Sequence, residues 1–186
     1  TRSMVMACII LLLAWTIGDI CAEIKTAEYI VDVTKNFLTP GLLPPITFIT
    51  AALISFATGS SWATMSILVP VTVPMAIQLM GGDPTAVVQS PIFISTFAAV
   101  LSGSVFGDHS SPIADTTVLS STASGADHID HVRTQLPYAL LCAAIALIAG
   151  YFLTGIGVNV FVSILIGCVM AFAFLQFFGK TVPASA

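Results

Sequence analysis

Apolar runs of membrane-spanning or half-spanning length alternate with short polar islands along this chain. A full bilayer span needs about 20 helical residues at about 1.5 Å rise each. Residues 4–17 are apolar and predict a first membrane helix. Residues 22–38 are amphipathic. Ala27, Ile30, Val31, Thr34 and Leu38 can share one helical face, with Glu28, Asp32 and Lys35 on another. Pro40, Pro44 and Pro45 predict a break.

The middle of the chain is interrupted more often than ordinary spans require. Residues 46–57 are apolar but only twelve long, roughly 18 Å of helix. They end in Thr58-Gly59-Ser60-Ser61. Trp62 starts a second apolar run, which contains Pro70 and Pro74 and stops at Gly81-Gly82-Asp83-Pro84. Two readings stay open here: a re-entrant hairpin with a polar, glycine-containing tip, or a short helix, a surface loop and a kinked helix. Residues 87–106 form a good span running into Gly107-Asp108-His109-Ser110-Ser111-Pro112, and the apolar stretch over 113–119 is too short to cross alone. Serine followed by proline is a helix start, so one helix is expected to end at Gly107 and a half-helix to begin at Pro112. Residues 120–135 read as a polar loop, and residues 136–154 and 158–178 as two spans joined by Gly155-Ile156-Gly157. The expected fold class is all-α: a polytopic membrane protein with a re-entrant helical hairpin and a broken transmembrane helix, residues 1–186 forming a single transmembrane domain.

Composition agrees with a bilayer setting. Hydrophobic residues are 57% of the chain and charged residues 8%, with mean hydropathy +1.04. A soluble domain carries about 25% charged residues. Lipid tails solvate the apolar exterior that water would not, so the lipid bilayer is the first partner. The formal charge of -4 comes without a basic patch, which excludes a nucleic-acid partner. Cys8, Cys21, Cys142 and Cys168 lie in apolar runs without C-x-x-C spacing and read as packing residues. Thr1 is not an initiator methionine and the chain begins inside an apolar segment with no signal-peptide pattern, so the sequence reads as a truncated fragment in preference to a processed complete protein.

A helix that stops inside the membrane leaves backbone carbonyls without partners, and these suit a hard cation such as sodium. Carbonyls near Phe106 and Gly107, with the Asp108 carboxylate, are expected to form a cation site completed by oxygens from Thr58 to Ser61. The competing reading is a surface loop with its aspartates in water. A carboxylate that trades a proton for sodium is the simplest antiport device. Asp115 falls in the first turn of the half-helix, where the helix dipole favours the anion. Asp108, beside a helix end that lacks that help, is then the expected proton carrier. His109 reads as a proton relay or as a donor holding the broken loop, the latter preferred. Trp62 reads as a packing or gate residue. Asp127-His128-Ile129-Asp130-His131 reads as a solvated loop in preference to a metal site. No G-x-S-x-G, H-E-x-x-H or phosphate loop occurs, so no enzyme chemistry and no cofactor are expected.

Phe106-Gly107-Asp108-His109-Ser110-Ser111-Pro112-Ile113-Ala114-Asp115-Thr116-Thr117 resembles the G-D-H-C-S-P-I-S-D-T-T signature of NhaC-type sodium/proton antiporters. Thr58-Gly59-Ser60-Ser61-Trp62-Ala63-Thr64 is similar to that family's T-G-T-S-W-G-T, and the stretch from Asp127 to Tyr138 also matches. Ser110 stands where a Cys is usual, Ala114 where a Ser is usual, and Ala63 where a Gly is usual. Ala114 offers no hydroxyl, so no ligand role is assigned to it. The resemblance implies one half of a two-repeat ion transporter in the inner membrane, working with the missing N-terminal half and as a possible homodimer. It implies sodium and a proton as the exchanged ions. The ion-binding set would be Asp108, Asp115, Thr58, Gly59, Ser60, Ser61, Gly107, Ser111 and Thr116, with Asp108 and His109 coupling the proton. The alternative is sodium-coupled movement or exchange of an organic anion or amino acid.

Overall fold

The computed structural model describes residues 38–179, together with isolated positions 12, 16, 20, 23–25 and 29. The expected helix over 4–17 and nearly all of the amphipathic one over 22–38 lie outside the described residues. Among the described residues every regular element is helical: α1 (Leu43–Thr58), α2 (Ser61–Leu79), α3 (Pro91–Ser110), α4 (Asp115–Ser124), α5 (His128–Ile145) and α6 (Val160–Phe178). A 3-10 turn Pro40–Leu42 precedes α1, and a π-helical stretch Ala146–Phe152 with the turn Leu153–Gly155 prolongs α5. Among the described residues, five segments are long and apolar enough to cross a membrane: Pro40–Thr58, Ser61–Leu79, Pro91–Ser124, His128–Gly155 and Val160–Phe178.

Several boundaries differ from the sequence expectations, each for a local reason. Pro44 and Pro45 do not break the chain. They occupy the first turn of α1, where a missing N–H costs nothing, so the arm is 16 residues long instead of twelve. Pro70 and Pro74 are carried inside a continuous α2. Helix α3 runs on through Asp108 and His109 to Ser110, three residues past the expected stop at Gly107. Ser111 caps the C-terminus of α3, and the chain restarts at Asp115 instead of Pro112. Residues 120–135 are mostly helical, not a loop. The Asp127 carboxylate accepts from Ile129 N–H at 2.9 Å and Asp130 N–H at 3.1 Å, which starts α5 eight residues early. Between α2 and α3, Asp83 accepts from the Thr85 hydroxyl at 2.6 Å and the Thr85 N–H at 3.0 Å. These bonds, the hydroxyl's first, hold its carboxyl below the ordinary carboxylate range.

The centre of the fold is the contact between α1 and α3, and it is built from small residues. A Cβ at Gly103 would lie 2.7 Å from both the Ala51 methyl and the Phe48 carbonyl oxygen. One turn on, a Cβ at Gly107 would collide with the backbone of Ser55. Glycines four apart let two membrane helices approach backbone to backbone, where dispersion and hydrogen bonds replace the absent hydrophobic drive. Ser55 uses that closeness. Its buried hydroxyl donates to the Ser104 carbonyl and accepts from Gly107 N–H at 3.0 Å. Further along α3, Ser95 and Thr154 share a hydrogen bond of 2.8 Å, and Phe48 stacks on Tyr151 at 4.9 Å.

The interior is therefore rich in hydroxyls, with Thr64, Thr96, Ser104, Ser110, Ser111 and Ser121 all nearly inaccessible. The outside is apolar. On α6, Phe161 and Phe177 are each 82% exposed, and Ser163 is that helix's buried residue. This inversion suits a chain whose exterior meets lipid or further membrane helices. Cys142 and Cys168 are free and exposed.

Candidate ion site at the helix break

Two interruptions meet in this structure. The first is the Gly59-Ser60 link between α1 and α2. Gly59 takes the left-handed conformation (φ 66°) that closes α1, with its N–H on the Ser55 carbonyl at 2.8 Å. Ser60 is extended, and its hydroxyl caps α2 by accepting from Ala63 N–H at 3.3 Å. The second interruption is the stretch of residues 111–114 between α3 and α4. They are in contact: a Cβ on Gly59 would lie 2.9 Å from Ile113 Cγ1 and 3.0 Å from Ala114 N. Glycine is needed there twice, for the positive φ and for the space.

Asp108 sits at the junction. Its carboxylate oxygen Oδ1 accepts from Ser61 N–H, the start of α2, at 3.3 Å. Its backbone carbonyl accepts the hydroxyls of Thr116 at 2.6 Å and Thr117 at 3.1 Å, from the first turn of α4. Asp108 thus joins the last turn of α3 to the first turns of both α2 and α4. The expectation that Asp108 lacks a helix N-terminus is corrected here. The N-terminal N–H of α2 reaches it across 47 residues of sequence, and that end of the dipole favours its anion.

The other candidate residues fall around this point with different roles. Asp115 occupies the first turn of α4 as expected, and its side chain is exposed. The Phe106 and Gly107 carbonyls are not free helix ends, because α3 continues past them. Phe106 O accepts the Ser110 hydroxyl at 2.6 Å, and Gly107 O accepts Ser111 N–H at 2.8 Å. Gly107 is buried against Ser55. Ser111 is fully buried, with its hydroxyl accepting from Ile113 N–H at 3.4 Å. Thr58 Oγ1 is exposed at the tip and accepts from Ser60 N–H at 3.4 Å, and Ser60 O is occupied by Thr64 Oγ1 at 2.9 Å. Ser61 is buried and contributes its N–H. Trp62 stands 69% exposed beside the tip, on the outer surface.

His109 does not hold the loop. It makes no side-chain hydrogen bond among the described residues and lines a cavity of about 370 Å³ with Gln135, Tyr138 and Ser102. The histidine that does hold it is His128: its ring bonds Pro112 O at 2.7 Å and Ser121 Oγ at 3.0 Å. Sequence reasoning placed it in a solvated loop because its partners lie seven and sixteen residues away. Ser55 was missed for a similar reason, although the Gly103-to-Gly107 spacing signals a close helix crossing. No group of three His, Cys, Asp or Glu among the described residues is placed to hold a resident metal.

The helical segments long and apolar enough to cross a membrane among the described residues make this a helical multi-pass membrane protein whose two interruptions meet at a carboxylate. Residues 1–156 match the model of the Na+/H+ antiporter family, and the chain belongs to that family. It is 39% identical over 154 residues to an uncharacterized protein of Haemophilus influenzae, covering 83% of this chain and 28% of that one. It is 34% identical over 122 residues to an arginine/ornithine antiporter of Halobacterium salinarum, covering 66% and 23%. It is 32% identical over 127 residues to the malate-2H(+)/Na(+)-lactate antiporter of Bacillus subtilis, covering 64% and 24%. The chain thus spans about a quarter of the length of these relatives. No solved structure matches it significantly.

Proposed function

We propose that this chain forms an ion-binding part of a sodium/proton antiporter of the cell inner membrane, with Asp108 as the residue at which sodium and a proton compete. The observation that carries this reading is the convergence of α2, α3 and α4 on Asp108. An interrupted backbone survives at membrane depth only where protein or a wet cavity satisfies it, and such sites are where secondary transporters bind ions. The carboxylate supplies charge for sodium, while Thr58, Ser60 and the exposed Thr116 lie close by as oxygen donors. Asp115, Gly59, Ser61, Gly107 and Ser111 shape the same site. The active unit contains more chain than these 186 residues, and a pair of such units is compatible with the exposed faces of α5 and α6. The test is sodium-driven proton movement in vesicles carrying the complete transporter. Proton flux indifferent to sodium rules the reading out.

A second reading has its own support. The His109 cavity has a mostly apolar lining that includes Phe48 and Phe106, with Gln135, Tyr138 and Ser102 as its few polar groups, which suits a small organic solute. Two relatives are named as antiporters of amino acids or organic acids. Stimulation of sodium flux by arginine, ornithine, malate or lactate in the same vesicles would select this reading over simple cation exchange.

We also propose that α1 and α2 form a re-entrant pair. Arm length no longer argues for it, since Pro40–Thr58 and Ser61–Leu79 are each 19 residues. The support is the tip: Gly59 packs on Ile113 and Ala114, so the tip lies at the same depth as the break. Cysteines at positions 39 and 83, both exposed and near the outer ends of the two arms, should then react with an impermeant maleimide from one side of the membrane. Labelling from opposite sides would show two full spans.

A further inference from the structure

We infer that His128 is a positioning residue that clamps the helix break and so sets the geometry of the ion site. The inference deepens the function proposed above and rests on it for its transport arm alone. His128 is the first residue of α5, and both its ring nitrogens are engaged. Pro112 O is an acceptor only, so the nitrogen facing it at 2.7 Å, Nε2, carries a proton and donates. Nδ1 then pairs with the buried Ser121 hydroxyl at 3.0 Å. Pro112 lies inside the break and Ser121 lies two turns into α4. One ring therefore pins the unwound segment, the half-helix after it and the start of α5 to one another.

That clamp leads directly to the site. The helix α4 that it holds carries Thr116 and Thr117 in its first turn, whose hydroxyls bond the Asp108 carbonyl at 2.6 and 3.1 Å. The segment it pins includes Ile113 and Ala114, against which Gly59 and the tip are seated. Loosening Pro112 would let the break and the tip separate, and Asp108 would lose the threonine hydroxyls that fix its backbone. The clamp needs one donor for Pro112 O and one partner for the Ser121 hydroxyl at a fixed spacing. A glutamine amide supplies both. An alanine supplies neither.

This separates positioning from proton carriage. With the complete transporter in vesicles, His128→Ala should raise the half-saturating sodium concentration about tenfold, with the maximal rate changed much less. His128→Gln should stay within about threefold of wild type on both quantities. A break-geometry readout accompanies it: Ala114 is 0% exposed, so a cysteine there, in a background with the native cysteines replaced by alanine, should resist maleimide. It should become reactive with His128→Ala and stay protected with His128→Gln. Equal protection in all three proteins, or a glutamine variant as impaired as the alanine one, overturns the inference. Because labelling needs no transport, a protein showing no sodium-linked proton flux defeats the proposed function while labelling still decides the clamp.

Discussion

Asp108→Asn is expected to abolish sodium-coupled proton movement while leaving the protein folded and inserted. The amide keeps the shape and can still accept from Ser61 N–H, and the backbone carbonyl still receives Thr116 and Thr117. The change removes the charge and the exchangeable proton together. A unit charge about 4 Å from a cation at an effective dielectric near 20 is worth about 4 kcal/mol. That corresponds to about a thousandfold in affinity, so a fall in coupled flux of at least about a hundredfold is expected. Asp115→Asn should do less. The sequence reading assigned that difference to a helix dipole acting on Asp115 alone, but both carboxylates face a helix start. The distinction rests instead on place: Asp108 is partly buried at the junction and Asp115 is exposed. Proton movement followed with a pH-sensitive dye at matched protein levels decides it. Near wild-type exchange by Asp108→Asn would defeat the mechanism.

The second large effect concerns folding. Gly107→Val is expected to prevent α1 and α3 from packing, and with them the site. Any Cβ at this position meets the Ser55 hydroxyl and the Ser55 backbone, which no rotamer change can move away. Overpacking in a core costs about 1–3 kcal/mol when side chains can yield; here backbone must yield, so the cost exceeds that range. The protein should be recovered at low level, or lose its cooperative thermal transition in detergent. Gly81→Ala, where an added Cβ meets nothing but φ is +116°, is the milder comparison. Stable, abundant Gly107→Val protein would show that the close crossing is not what holds the two helices.

Much of this protein was legible because its signals are local. Apolar run lengths and scarce charges are counted along the chain, and they gave a polytopic all-α class that the helical segments share. Capping chemistry is also short-range, and it located the interruptions near Gly59 and Ser111, although the edges of the second moved by three residues. The edges moved because intrahelical bonds outlast the last apolar residue. Ser111 N–H still reaches Gly107 O, so the helix carries Asp108 and His109 as its final turn. The stretch over 120–135 was misread for the same reason. Polar composition describes what a segment tolerates around it, while the Asp127 cap and backbone bonds decide whether it is helical.

By itself, the sequence determined the membrane setting, the helical class and which polar residues flank the interruptions, because these follow from composition and neighbours within one turn. Tertiary structure alone decided which of them meet. The Ser61 N–H on Asp108, the Ser55 hydroxyl between α1 and α3, and the His128 ring on Pro112 each join residues sixteen to fifty-two apart. Such bonds depend on how closely two helices approach. That closeness is set where Gly103 and Gly107 leave no side chain between backbones, a property of two surfaces in contact and not of either alone.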